Sequence, residues 1–462
     1  MSDAIRLLAL NLGFAAVGVA VVLLAGIPPR RSWLATIAGL APAAGIATCG
    51  IIASLGAMLG IDVRPIVTGV LVVALLILVR LVLGRRRPGI GSLTPPRPGI
   101  VGRVLELVPL AVLAVLSVAI VRFGVASGLD AWDGWALWGS KAHALFVDGD
   151  VWGPVFREPA YLMQHQEYPI LFPALEALSA GAIDRFDPTL IDVEPAVILV
   201  AFGWGAWAIL RLVVAPAVAA GAALALTGSA PLIENGAANY ADSVVASFTA
   251  LGLLCLLVWL SKGSTATLVL AALFLAAAAA SKAEGLLFAT AAIAAALATA
   301  HGFGRSIRSA LAFGAAVLAV PALWAVVDRL NGPGAKNVDR AALVDPEAML
   351  DAAGRIPTAA WRLLEEIADG WTLALVAVVV AILAACLVRL WWHAAFVALW
   401  GVLAFGALVG VYYASTAPID WHLGTSADRV VFSIVLGLAI MAPMLAGRVW
   451  EDISRRSRES SR

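Results

Sequence analysis

Charged residues make up only 13% of this 462-residue chain, about half the share found in soluble globular proteins. That shortage excludes a water-soluble fold. The charges that are present nearly cancel, with a formal net charge of +1, so there is no bulk electrostatic attraction to nucleic acid. Cysteine is scarce as well: Cys49, Cys255 and Cys386 each sit inside an apolar run, without the spacing of a disulfide framework or a zinc site. Neither a P-loop nor a glycine-rich dinucleotide turn occurs, which leaves a nucleotide without a recognisable cradle.

What is abundant is apolar surface. Hydrophobic residues account for 62% of the chain, and the mean hydropathy is +0.96. Apolar runs recur near 7–27, 33–58, 65–83, 104–124, 195–213, 216–233, 243–260, 265–281, 284–300, 309–328, 371–388, 391–413 and 430–447. Most are long enough to cross a hydrocarbon core of about 30 Å. The pattern predicts an all-α, polytopic membrane protein of about thirteen spans, with lipid as its surroundings. Arg6 precedes the first run and no small-residue cleavage site follows it, so that run reads as a retained span rather than a signal peptide.

Arginines set the expected orientation, because short cytoplasmic loops accumulate them. Arg85, Arg86, Arg87, Arg97 and Arg103, then Arg305 and Arg308, then Arg455, Arg456, Arg458 and Arg462 all ask for the inner side. The two long connections, about 125–194 and about 329–370, then face outward, and a short polar one from Ala417 to Arg429 joins them. Residues 169–183 are apolar but begin with Pro169 and Pro173 and contain Glu176. At 1.5 Å per residue they reach only about 22 Å, which predicts a re-entrant or interfacial helix.

Polar residues collect in these outer segments. Asp130-Ala131-Trp132-Asp133 opens the first, and Trp132, Trp135 and Trp138 follow at helical spacing, as in an amphipathic helix with its indoles at headgroup level. Asp133, Leu137 and Lys141 fall on one helix face. An Asp at a cavity mouth suits an acceptor hydroxyl and a Lys suits a phosphate, while a solvated salt bridge is the plainer alternative. His165 and Glu167 precede Tyr168-Pro169 at the water–lipid boundary, where His165 is either functional or structural. Asn239-Tyr240-Ala241-Asp242 and Lys282-Ala283-Glu284-Gly285 lie between apolar runs, where charges face a cavity, pair, or snorkel. His422, Thr425, Ser426 and Arg429 bring phosphate donors together, unless Arg429 packs on Asp428. All these clusters come out on one face, as a single outer cavity requires.

On these motifs the chain resembles the GT-C superfamily of integral-membrane glycosyltransferases, relatives of protein O-mannosyltransferases and the lipid A aminoarabinose transferase. The resemblance covers roughly residues 104–447 and rests on Asp130-Ala131-Trp132-Asp133, the His/Glu-Tyr-Pro turn, Asn239-Tyr240-Ala241-Asp242, Lys282-Ala283-Glu284-Gly285 and the Trp421 to Arg429 segment. It implies an N-terminal part at 1–103, a catalytic module at 104–328 and a C-terminal part at 329–462. It also implies transfer of a sugar from a polyprenyl-phosphate donor to a glycan, lipid or protein acceptor outside a bacterial inner membrane. Asp133 then matches the first-loop acid, with Asp130 as its neighbour and Asp242 as the second acid. Lys141, Lys282 and Arg429 are the candidates for the lipid phosphate, and His165, Glu167, Glu284 and His422 for the rest of the substrate site. No cofactor is implied, and a divalent metal requirement stays open. A lipid-linked-sugar flippase and a non-catalytic polysaccharide assembly protein are the rival readings.

Overall fold

The structure, a computed structural model, describes residues 2–62, 89–96, 98–332 and 345–460. The expected span near 65–83 and the arginines Arg85, Arg86, Arg87, Arg97 and Arg462 lie outside the described residues. The regular elements described are helices, in which each apolar run bonds its own backbone groups without water.

Two helices open the chain, α1 (Asp3–Ala25) and α2 (Leu34–Met58). They touch backbone to backbone: a Cβ on Gly18 would stand 1.7 Å from the Ala41 carbonyl oxygen, and one on Gly45 1.7 Å from that of Phe14. Only glycine permits such an approach. Next come α3 (Ile100–Ser127), α4 (Ser140–Asp148), α5 (Leu171–Ile183) and α6 (Val193–Leu210). A bent pair follows, α7 (Pro216–Thr227) and α8 (Ala230–Ala237), set at 52°. Then α9 (Ala241–Lys262), α10 (Thr265–Ala279), α11 (Ala283–Ala300) and α12 (Ile307–Asn331) run back and forth. The chain closes with α13 (Pro346–Ala353), α14 (Arg355–Leu387), α15 (Trp391–Tyr413) and α16 (Ile419–Ser460).

Ten of the described helices are long and apolar enough to cross a membrane, or eleven if the bent pair is one span. The expected run at 265–281 forms α10, whose 15 residues reach about 22 Å. α9 is the central helix, buried along its length and packed on α6, α10, α11 and α16. α5 has 13 residues, about 20 Å, so it does not span by length. It is enclosed by α1, α2, α4 and α6.

The helices alternate between two ends of the bundle. At one end the Gly89 carbonyl accepts from the Ala266 amide, and Arg305 bonds the Leu260 carbonyl. At the other, Leu171 bonds Ala280, Asn331 bonds Val151, and Arg185 pairs with Asp3. The latter end carries the expected outer segments.

Two of the segments expected on the outer side differ from expectation in structure. The Ala417 to Arg429 stretch is helical from Ile419 onward, because Leu423, Ala427 and Val430 share a buried face at helical spacing. The late half of 329–370 is also helical. α14 breaks only at Trp371 (φ −136°, ψ 20°), where the apolar run begins. Before that break Arg362 pairs with Glu366 while Ile356, Trp361 and Leu364 stay exposed.

Candidate functional site

The site forms at the end of the bundle that carries the Leu171–Ala280 and Asn331–Val151 bonds, where α3, α9, α11 and α16 meet. Asp133 stands one residue before a π-helical turn, Gly134–Gly139, that leads into α4. A Cβ on Gly134 would lie 2.8 Å from the Ala238 carbonyl oxygen, so this turn sits directly on the α8–α9 junction. There Asn239 adopts a left-handed conformation (φ 55°), which reverses the chain and puts Asp242 in the first turn of α9. Lys282 is the extended residue before α11, and Glu284 lies in that helix's first turn.

These side chains form one alternating string of charges. Arg429 Nη1 lies 2.6 Å from Asp133 Oδ2 and 4.0 Å from Asp242 Oδ2. Lys282 Nζ lies 2.7 Å from Asp242 Oδ1 and 3.1 Å from Glu284 Oε1. The Arg429 guanidinium also covers the Tyr240 ring at 4.2 Å and donates to the Thr425 carbonyl at 2.8 Å. Side-chain exposure is 22% at Asp133, 5% at Asp242 and 13% at Glu284, so the string is most open at its Asp133 end. Burial by itself would lower the Lys282 ammonium, but the Asp242 and Glu284 carboxylates overcome it and hold that group above the ordinary lysine value.

A stack of rings adjoins the string. Trp138 stacks on Tyr168 at 5.8 Å, and Tyr168 on the His165 ring at 4.8 Å. Lys141 is completely buried behind them, with Nζ 2.5 Å from the His165 carbonyl oxygen and 5.4 Å from both the Trp138 and Tyr168 ring centres. Burial pushes its ammonium down to about 7, against the pull of Glu167 and Asp328. His165 Nδ1 and Glu167 Oε1 are 3.1 Å apart, and Trp324 donates to the Glu167 carbonyl. Tyr168 is raised above the usual phenol range by burial and then by Glu284, which ties the ring stack to the string. On α16, His422 Nδ1 lies 2.8 Å from Ser415 Oγ, and its ring is 4.7 Å from that of Tyr412.

The structure therefore brings Asp133, Asp242, Lys282, Glu284 and Arg429 into contact, and His165 and Glu167 into a pair beside Tyr168. Asp130 is exposed and stands outside the string. Arg429 bonds Asp133 across the fold rather than its neighbour Asp428. Lys141 does not reach Asp133 along a common helix face; the π turn between them changes the register, and Lys141 goes to the His165 carbonyl. The tryptophans divide: Trp132 and Trp135 are exposed, but Trp138 is buried in the stack, so the three do not share one exposed face.

Sequence reasoning missed a second acidic group behind the site. Glu176, Glu194 and Asp192 are fully buried. Asn239 Nδ2 donates to Glu176 Oε1 at 2.6 Å, and Ser179 Oγ to Glu194 Oε1 at 2.5 Å. Burial raises the Glu176 carboxyl to about 8, opposed by the Asn239 bond and reinforced by Glu194. The available signal was the rarity of an acid in an apolar run. Among the described residues no group of three or more His, Cys, Asp or Glu side chains is placed to hold a metal ion. Compared with family models, curated proteins and solved structures, the chain matches none.

Proposed function

We propose that this protein is a membrane glycosyltransferase of the GT-C type, moving a sugar from a polyprenyl-phosphate donor to an acceptor outside a bacterial plasma membrane. The observation that carries the reading is the string Asp133, Arg429, Asp242, Lys282, Glu284 at one end of an apolar bundle. Carboxylates and cations held together at a partly wet membrane face suit a reaction that must accept a proton and stabilise a departing phosphate. The opposite end carries Arg103, Arg305, Arg308, Arg448, Arg455 and Arg456, which supports an outward-facing site.

In this reaction the acceptor oxygen attacks the anomeric carbon as the bond from that carbon to the phosphate oxygen breaks. The electron pair leaves with the polyprenyl phosphate, which gains one negative charge. Asp133, the more exposed acid, takes the acceptor proton. Arg429 grips the phosphate oxygens as their charge grows, and Lys282 keeps Asp242 and Glu284 in place. His165 with Glu167, and His422, line the approach.

The test is turnover of a radiolabelled polyprenyl-phosphate sugar by the purified protein. Asp133→Asn should leave less than about a tenth of wild-type turnover, a barrier increase above roughly 1.4 kcal/mol, and Asp130→Asn should be milder. Movement of the intact lipid-linked sugar across proteoliposomes, without cleavage of the sugar–phosphate bond, would instead make the protein a flippase.

A further inference from the structure

Arg429 is the cation that the proposed reaction needs for the donor phosphate, yet it is already engaged. Its Nη1 lies 2.6 Å from Asp133, the carboxylate assigned to the acceptor proton. The base and the phosphate ligand thus neutralise each other. The other cations offer no substitute. Lys282 is held between Asp242 and Glu284, and Lys141 is buried on the His165 carbonyl.

The charge count sharpens the difficulty. Three carboxylates, Asp133, Asp242 and Glu284, face two cations, Lys282 and Arg429, so the group is formally one negative charge in excess. An anionic donor enters such a group only by taking over a contact that a carboxylate now holds. Among these contacts the one between Arg429 and Asp133 is the most exposed, at 13% and 22% of the two side chains. Arg429 also keeps its place without Asp133, through the Tyr240 ring, the Thr425 carbonyl and Asp242. Exchange at Asp133 therefore leaves the remaining pairs intact.

We propose that Asp133 and the donor phosphate compete for Arg429, so that donor binding itself releases the carboxylate that then receives the acceptor proton. The ion pair is an internal block: before the donor arrives, the Arg429 guanidinium covers Asp133 and stands between it and an acceptor hydroxyl. The order of binding follows, donor first and acceptor second. This inference rests on the glycosyl-transfer reading, because it assigns the competing anion to a phosphate diester.

The probe that tests it is farnesyl methyl phosphate, which carries the donor's single charge and no sugar, titrated calorimetrically into the full-length protein in detergent micelles. A charge-assisted hydrogen bond contributes about 1.5–3 kcal/mol, so removing the competitor should tighten binding by about tenfold or more. Asp133→Asn and Asp133→Ala should both bind the probe that much more tightly than wild type, although neither turns over donor, and Arg429→Ala should lose binding. The two Asp133 variants guard against a folding defect in either one. If the wild type binds the probe and both Asp133 variants bind it equally or more weakly, the competition is overturned while the donor reading survives. If neither the wild type nor any variant binds it, the donor reading falls, and this inference with it.

Discussion

Lys282→Met is the most direct challenge to the string of charges that joins Asp133, Arg429, Asp242, Lys282 and Glu284. Methionine keeps most of the length and volume of the lysine stem but removes the ammonium, which lies 2.7 Å from Asp242 and 3.1 Å from Glu284. Both carboxylates are largely buried, at 5% and 13% side-chain exposure, so neither regains full hydration when the cation goes. Breaking a buried pair by removing one partner costs about 3–5 kcal/mol, chiefly because a charge is left uncompensated. Arg429, 4.0 Å from Asp242, offsets part of this and favours the lower end, about 3 kcal/mol. The assay is unfolding in mixed micelles titrated with a denaturing detergent. Lys282→Met should lose about 3 kcal/mol, and Lys282→Met with Asp242→Asn should regain at least half, since the double variant no longer buries an unpaired carboxylate at that position. A single variant within about 1 kcal/mol of wild type, or a double variant less stable than the single one, would refute the reasoning.

Two further outcomes follow from burial and from placement. Because the folded protein holds the Glu176 proton up to about 8 whereas an unfolded glutamate releases it near 4.5, stability from this group is complete below about 4.5 and is lost as pH rises toward 8. Glu176→Gln should therefore gain on wild type by about 1–3 kcal/mol between pH 5 and pH 8 in thermal melts; a difference that does not change with pH would mean Glu176 is not buried as a neutral acid. For orientation, in a background without Cys386, Met163→Cys and Ile356→Cys should react with an impermeant maleimide from outside the cell, and Val101→Cys and Ile453→Cys only after permeabilisation. External labelling at position 453 would reverse the assignment of the outer face.

Much of the site was legible residue by residue, but its wiring was not. Asp133, Asp242, Lys282, Glu284 and Arg429 stand out in the sequence because ionisable groups flanked by apolar runs are costly unless paired. Which of them pair is another matter. Neighbouring residues suggested Asp428 for Arg429, and helix periodicity suggested Lys141 near Asp133; the π turn at Gly134–Gly139 and the packing of α16 decided otherwise. The Ala417 to Arg429 segment looked like a loop because Asp420, Gly424, Thr425, Ser426 and Asp428 favour turns. Its buried stripe of Leu423, Ala427 and Val430 acts only once α16 packs on its neighbours.

What the sequence determined by itself is the helical class, since apolar runs of this length must satisfy their own backbone and do so by local hydrogen bonds. It also determined, through their cost in an apolar chain, which charged residues are worth following. Tertiary structure alone decided that Trp138 is buried, that α5 is enclosed, and that Glu176, Glu194 and Asp192 gather behind Asn239. It alone joined Arg429 to Asp133 across 296 positions. Helix formation depends on residues a turn apart, whereas an ion pair depends on which helix ends the packing of the whole bundle brings together.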